Sequence, residues 1–166
     1  MNNFSDRKSS FSFIYNSKFS ITDIESVLQP LFAYYYGFER LRQFILNSEH
    51  IWSVFDRRKK CFVASALLSD YDDRRTLYLN LFGVEESSQG QGIGTRLLMK
   101  IRRWARKNNY RAIILHTQID NNRAINLYEK LGFTKEFYFK DFFLRPSNFS
   151  STQLHESDAY QMILLL

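Results

Sequence analysis

A glycine-rich turn set between a strand-like run and a helical repeat constrains this chain more than any other feature. Leu77-Tyr78-Leu79-Asn80-Leu81-Phe82 reads as a strand, and Gln89-Gly90-Gln91-Gly92-Ile93-Gly94 follows it. Ile93, Leu97, Leu98, Ile101, Trp104 and Ala105 then recur at helical spacing. Strand, glycine turn and helix together make the layout of a phosphate site. Glycine has no Cβ, so the backbone can approach a diphosphate closely. The N–H groups of the first helical turn, unpaired within the helix, can point at the anion. Alone, such a turn is common punctuation before a helix. The dinucleotide-binding fingerprint needs a third glycine where this chain has Leu97.

A second motif lies downstream: Asn121-Asn122-Arg123-Ala124-Ile125-Asn126-Leu127-Tyr128-Glu129-Lys130-Leu131-Gly132-Phe133. It reads as a short helix. Asp120, Asn121 and Asn122 can cap its start, Tyr128 sits on its last turns, and Gly132 takes the C′ position where a left-handed residue is wanted.

At 166 residues the chain can bury a full core. We expect a polar tail over residues 1–10 and one domain over residues 11–166. Cys61 stands alone in an apolar run and reads as a buried, inert thiol, which argues against a disulfide-built secreted protein. No Cys/His cluster points to a metal. Residues 1–20 lack the apolar core of a signal peptide and residues 162–166 are too short to span a bilayer, so a soluble, cytoplasmic chain without a membrane partner is expected. The net charge of +6 raises the question of nucleic acid. The basic residues fall at Arg57 to Lys60, at Arg74 and Arg75, and at Lys100, Arg102, Arg103, Arg106 and Lys107 on the glycine-turn helix. The helical set reads as a solvated face suited to the helix dipole, with a steering role toward an anionic ligand. Nucleic acid is not the expected partner, because the aromatics are scattered through apolar strands and form no stacking platform.

The two motifs resemble those of the GCN5-related N-acetyltransferases, which carry Gln/Arg-x-x-Gly-x-Gly/Ala and, downstream, Asn-x-x-Ala-x-x-x-Tyr-x-x-x-Gly-Phe. The matching residues are Gln89, Gly92 and Gly94, then Asn121, Ala124, Tyr128, Gly132 and Phe133. The resemblance is strong from about Thr76 to Phe133. It implies acetyl-CoA as cosubstrate, held by the backbone of Gln89, Gly90, Gln91, Gly92, Ile93, Gly94 and Thr95 at its pyrophosphate. The end of the preceding strand, Phe82, Gly83 and Val84, would pair with the pantetheine arm. Asn121 and Tyr128 would flank the thioester, with Tyr128 protonating or holding the departing thiolate, and the amine would attack directly without an acyl-enzyme. The implied fold is α/β (α+β): a mixed, mainly antiparallel sheet flanked by helices.

The chain can be partitioned to suit that fold. Strands are predicted over Phe11 to Tyr15, Ile51 to Phe55, Cys61 to Leu68, Thr76 to Val84 and Arg111 to Gln118, with a last hairpin of Phe137 to Leu144 and Tyr160 to Leu165. Thr22 and Glu25 read as a capping box opening a helix toward Leu31, and Phe38 to Leu46 as a second short helix.

A narrower resemblance concerns the acceptor. Leu77 to Gly83, Ile114-Leu115-His116-Thr117-Gln118 and Tyr138-Phe139-Lys140-Asp141-Phe142-Phe143 look like catalytic subunits of protein N-terminal acetyltransferases, especially the NatE type and more loosely NatF. In that group a tyrosine at the Tyr78 position and a histidine at the His116 position act through a water as the base. Taken singly, Tyr78 reads as a packing residue and His116 as a hydrogen-bonded core histidine; it is the two together, at matching offsets from Gly83 and Asn121, that favour catalysis. An α-amine of pKa near ~8 asks less of such a base than a lysine at ~10.4. No carboxylate lies on the Thr76 to Val84 run. The resemblance places Phe32, Tyr34, Tyr36, Phe142 and Phe143 at the acceptor. The chain departs from the pattern twice: the loop proline of NatE is absent from Phe32-Ala33-Tyr34-Tyr35-Tyr36, and its paired tyrosines are Phe142 and Phe143, without hydroxyls. A peptide N-terminus, a small amine such as a polyamine, aminoglycoside or amino acid, and a non-catalytic CoA-binding role remain as readings. A small polycation would want carboxylates at the mouth, where Asp141, Glu156 and Asp158 are the candidates. An auxiliary subunit or a homodimer is left open.

Overall fold

A computed structural model describes residues 10–16, 20–72, 75–143 and 158–166. Residues 1–9 of the expected tail over 1–10, Arg74, Leu144 and Glu156 lie outside the described residues, while Ser10 is described and its carbonyl accepts from the Arg57 N–H. The chain runs β1 (Phe11–Tyr15), α1 (Ile21–Tyr36), α2 (Phe38–Leu46), β2 (His50–Asp56), β3 (Cys61–Asp72), β4 (Thr76–Val84), α3 (Ile93–Lys107), β5 (Ala112–Gln118), α4 (Asn122–Lys130), β6 (Thr134–Phe139) and β7 (Ala159–Leu165), with a 3-10 turn at Glu86–Ser88 before α3. The seven strands form one sheet in the order β1-β2-β3-β4-β5-β7-β6. Among the described strands only β4 and β5 pair in parallel, across α3. The mixed, mainly antiparallel sheet flanked by helices is therefore the expected one.

The helices cover both faces. Ile24, Val27 and Leu28 of α1 and Leu41 and Ile45 of α2 bury against Leu67 and Leu81. On the other face Ile93, Leu97, Leu98, Ile101 and Ala105 of α3, with Tyr128 of α4, join Val54, Val63, Ala64, Leu77, Leu79, Ile113 and Leu115.

Several boundaries differ from those the sequence predicts, each for a local reason. The cap of α1 is Ser20, not Thr22: its Oγ accepts from the Asp23 N–H and the Asp23 carboxylate accepts from the Ser20 N–H. The helix continues past Pro30 to Tyr36 and stops at Gly37, whose φ of 73° breaks the helical path. Strand β3 runs on to Asp72, past the predicted end at Leu68. Strand β6 starts directly after Phe133, earlier than Phe137. Cys61 is exposed at the start of β3, because the turn ending at Lys60 leaves it on the surface. On α3 the basic residues are not simply solvated. Arg96 and Lys100 lie over the ring of Phe13 at 5.0 and 5.1 Å, and Arg102 reaches the Leu131 carbonyl at the end of α4.

The feature that most shapes the site is a bulge in β4. Leu67 faces Leu81 and Leu68 faces Leu79, which leaves Asn80 as the extra residue. Along an unbroken strand Leu77, Leu79 and Leu81 would share one face. The bulge instead sends Leu77 and Leu79 to the α3 side and Leu81 to the α1 side. Phe82 and Val84 then turn under α3 and Gly83 turns under α1.

Candidate active site

The ladder between β4 and β5 runs from Thr76–Ala112 to Leu79–Leu115 and stops, although β4 continues to Val84 and β5 to Gln118. The two strands part beyond the bulge. On its β5 side the segment from Asn80 to Val84 has backbone groups outside any ladder, which suits the strand-like pairing expected of a pantetheine arm. On its other side the same segment is held by β3, and the Glu85 N–H donates to the Val63 carbonyl.

At the end of β4 the chain enters the glycine turn. Gly90 and Gly92 have φ of 76° and 72°, a left-handed conformation in which a side chain is strained. Gln89 is tied back to β4 by its carboxamide, which donates to the Val84 carbonyl at 2.8 Å. Lys59, from the β2–β3 turn, donates to Glu85 at 3.1 Å and to the hydroxyls of Ser87 and Ser88 at 2.7 and 2.8 Å, fixing the other side of the loop. Hydrogen bonds from Ser88 first, and then from Lys59, hold the Glu85 carboxyl below the usual range. Helix α3 follows Gly92 with no side-chain cap and no acidic residue in its first turn, whereas α1 and α4 are capped by Ser20 and Asn121. Its first N–H groups thus fit an external anion. Gln91 is exposed beside them, Thr95 is half-buried, and the Ile93 side chain goes into the core. A Cβ on Gly94 would stand 3.1 Å from the Phe82 ring and 3.5 Å from Val84, so this glycine lets the helix seat against β4.

Asn121 accepts from the Ala124 N–H at 3.1 Å, so its carboxamide oxygen caps α4. Gly132 has a φ of 95°, as its place after the helix requires. Tyr128 is buried between Phe82 and Phe133, at ring distances of 6.4 and 5.5 Å. Burial pushes its phenol far above the ordinary tyrosine range.

Tyr78 and His116 meet where the strands part. The Tyr78 hydroxyl lies 2.9 Å from His116 Nδ1. Burial, followed by the neighbouring phenols of Tyr36 and Tyr71, pushes the Tyr78 hydroxyl up to about 12, so it stays protonated. Burial lowers the pKa of His116, which keeps the imidazole neutral and able to accept a proton. The phenol can donate to Nδ1 or accept from it; in the tautomer where Nδ1–H donates to Tyr78, the free acceptor is Nε2. Aromatic rings wall the pair: Tyr71 stacks on Tyr78 at 5.8 Å, Phe142 lies 4.1 Å from His116 at an interplanar angle of 11°, and Phe139 meets the same imidazole at 5.3 Å.

The expected acceptor residues are only partly brought together. Phe32, Tyr34 and Tyr36 stand on helix α1, not on a loop. Phe32 and Tyr36, one turn apart, share a face at 6.5 Å, with Phe32 against Gly83. Tyr34 projects elsewhere, 65% exposed and edge-on to Tyr35. Phe143 packs edge-on to Phe142 at 5.0 Å. Asp158, expected at a charged mouth, is instead buried, accepting from Tyr138 and from the Asp141 N–H. Tyr71 and Phe139 join the site without having been predicted. Their only signal in the sequence is aromatic character near a strand end, which this chain displays at many places.

Residues 14–133 match the profile of the Acetyltransferase (GNAT) family. The Drosophila melanogaster protein called "Probable N-acetyltransferase san" is 38% identical over 78 residues, which cover 44% of this chain and 42% of that protein. The chain spans less than half the length of the first sequence relatives it matches. Among solved structures, a GNAT family acetyltransferase from Elizabethkingia anophelis with acetyl-CoA bound superposes with a TM-score of 0.76 at 18% identity, covering 96% of this chain and 100% of the other. Arabidopsis thaliana Naa50 in complex with the bisubstrate analogue CoA-Ac-MVNAL gives a TM-score of 0.72 at 21% identity, covering 93% and 98%. At these identities the structures establish the shared fold.

Proposed function

This chain belongs to the acetyltransferase (GNAT) family, and we propose that it transfers an acetyl group from acetyl-CoA directly to the α-amine of a protein or peptide N-terminus. The observation that carries this reading is the Tyr78–His116 hydrogen bond of 2.9 Å at the point where β4 and β5 part. The uncapped start of α3 and the left-handed glycines Gly90 and Gly92 fit the pyrophosphate of acetyl-CoA, which would be held by backbone N–H groups from Gln89 to Thr95. The free edge of Phe82, Gly83 and Val84 would pair with its amide-bearing arm.

Acetyl-CoA supplies a thioester carbonyl: the amine nitrogen bonds to that carbon, the C–S bond breaks, and the ammonium proton must leave. In the tautomer with its ring proton on Nδ1, His116 takes this proton at Nε2, directly or through water, while Tyr78 holds Nδ1 in place. Tyr128 hydrogen-bonds the thiolate. With its pKa raised by burial it is a weaker acid than a thiol at ~8.5, so its role is to stabilise the leaving group and not to surrender a proton outright. The likeness to N-terminal acetyltransferases supports an α-amine acceptor. So does the aromatic wall of Tyr36, Tyr71, Phe139 and Phe142, which offers apolar contact beside the base.

Acetyl-CoA consumption should be measured with a peptide carrying a free α-amine, the same peptide blocked at its N-terminus but bearing a lysine, and spermidine. Turnover restricted to the free α-amine is the expected result. Turnover confined to spermidine would move the acceptor to small amines, and failure to bind acetyl-CoA at all would remove the activity.

A further inference from the structure

The imidazole of His116 has one hydrogen bond among the described residues, to Tyr78. A ring fixed at one atom can still swing about its side-chain bonds, and a swing of tens of degrees would break a 2.9 Å contact. Something must therefore hold its plane. The ring lying parallel to it is Phe142, stacked with centroids 4.1 Å apart and planes 11° from parallel. Phe139 closes a second side at 63° to the same imidazole.

The turn that carries Phe142 is itself anchored. Asp141 has a φ of 52°, and its N–H donates at 2.8 Å to Asp158 Oδ1. Tyr138 donates to the other carboxylate oxygen of Asp158 at 2.5 Å. The Asp158 carbonyl accepts from the Ile119 N–H at 3.2 Å, just past the end of the strand that holds His116. With 2% exposure, Asp158 thus clamps the β6 turn to the end of β5.

We propose that Phe142 is a positioning residue: stacked on His116 and held by the Asp158-anchored turn, it fixes the imidazole plane so that Nδ1 meets Tyr78 and Nε2 is left to accept the proton. The proposal rests on the reading of His116 as the base. Phe142 is 40% exposed, so its removal should spare the fold. The ionisable groups around the imidazole are Tyr78, backed by Tyr36 and Tyr71, and the Tyr138, Lys140, Asp141 and Asp158 groups of the turn. None of these changes in a Phe142 variant.

The test uses Phe142→Ala and Phe142→Tyr, with His116 followed by NMR titration of its imidazole and assigned by loss of its signal in His116→Ala. In Phe142→Ala one face of the ring opens to water, so His116 should titrate at higher pH than in the wild type, and Phe142→Tyr should restore the wild-type titration. In turnover, Phe142→Ala should lower kcat about tenfold and move the acid limb of the rate profile in the same direction as the titration, with acceptor KM little changed. An unmoved titration in folded Phe142→Ala would overturn the proposal, as would a rise in KM alone, which would make the ring an acceptor wall. If the wild type turned over no amine, the reading of function would fail, yet the titration would still decide whether Phe142 governs His116.

Discussion

His116 and Tyr78 show how two side chains of ordinary type become a matched pair. Each alone is compatible with packing. Together, with a shared hydrogen bond of 2.9 Å and opposite pressures from burial, they separate into a group that stays protonated to about 12 and one that stays neutral. The sign of the pH dependence follows. Burial lowers the pKa of His116, so its proton-accepting form persists below the ~6.5 of a free histidine, and the acid limb of kcat/KM should fall below that value. His116→Ala should remove this limb. His116→Ala and Tyr78→Phe should each slow peptide acetylation at least about tenfold, and the double variant should lose little more, because the two act as one unit. The losses should shrink as pH passes the amine pKa, where the acceptor arrives deprotonated. Rates against pH for both singles and the double check this, and additive, pH-independent losses would separate the two roles. Tyr128→Phe keeps a buried ring and removes only the hydroxyl. Turnover should drop while acetyl-CoA affinity measured by calorimetry stays level, and unchanged turnover would leave Tyr128 with packing alone.

At the scale of elements, the joint between β4 and α3 carries the proposed acetyl-CoA site. Its glycines act differently. Gly90 and Gly92 adopt φ values that L side chains avoid, and nothing lies within 4 Å of where their Cβ atoms would stand. Gly94, with ordinary φ, is needed because Phe82 and Val84 come so close. Gly92→Glu should therefore abolish measurable acetyl-CoA binding in calorimetry while circular dichroism stays native, since the new side chain and its charge would occupy the anion's side of the helix start. Wild-type affinity in that variant would refute the cofactor site. The features of this joint are legible in the sequence. A left-handed glycine, an asparagine cap such as Asn121 and a 3.6-residue repeat are set by neighbours within a turn or two. The capping box at Ser20 escapes a sequence reading for an equally local reason: Thr22 and Glu25 satisfy the same kind of spacing rule, and only the backbone shows which serine or threonine is extended.

Across the molecule, one sheet with helices on both faces places the bulge of β4 between two cores. Gly83 is where the α1 layer touches that strand: a Cβ there would stand 2.5 Å from Leu31 Cδ1, 3.2 Å from Phe32 and 3.3 Å from the buried Leu28. Gly83→Ala should therefore cost about 1–3 kcal/mol of stability by overpacking. Urea unfolding would register this as a lower midpoint at unchanged slope, and an unshifted midpoint would mean that α1 rests more loosely on the sheet. The order of elements from β4 to α4 and the glycine turn are readable from the chain alone, because they are written in short-range spacing, whereas Tyr78 and His116 are singled out by the resemblance to N-terminal acetyltransferases. Other features exist only once the chain has folded. Asn80 bulges and sends Leu81 to the opposite face from Leu79, and β4 and β5 part beside Tyr78. Cys61 is exposed, and Phe142 lies on His116 while Asp158 is buried beneath its turn. Most of these join residues far apart in the chain through the register of the sheet. A one-residue change of register alters which side chains meet without altering any local pattern.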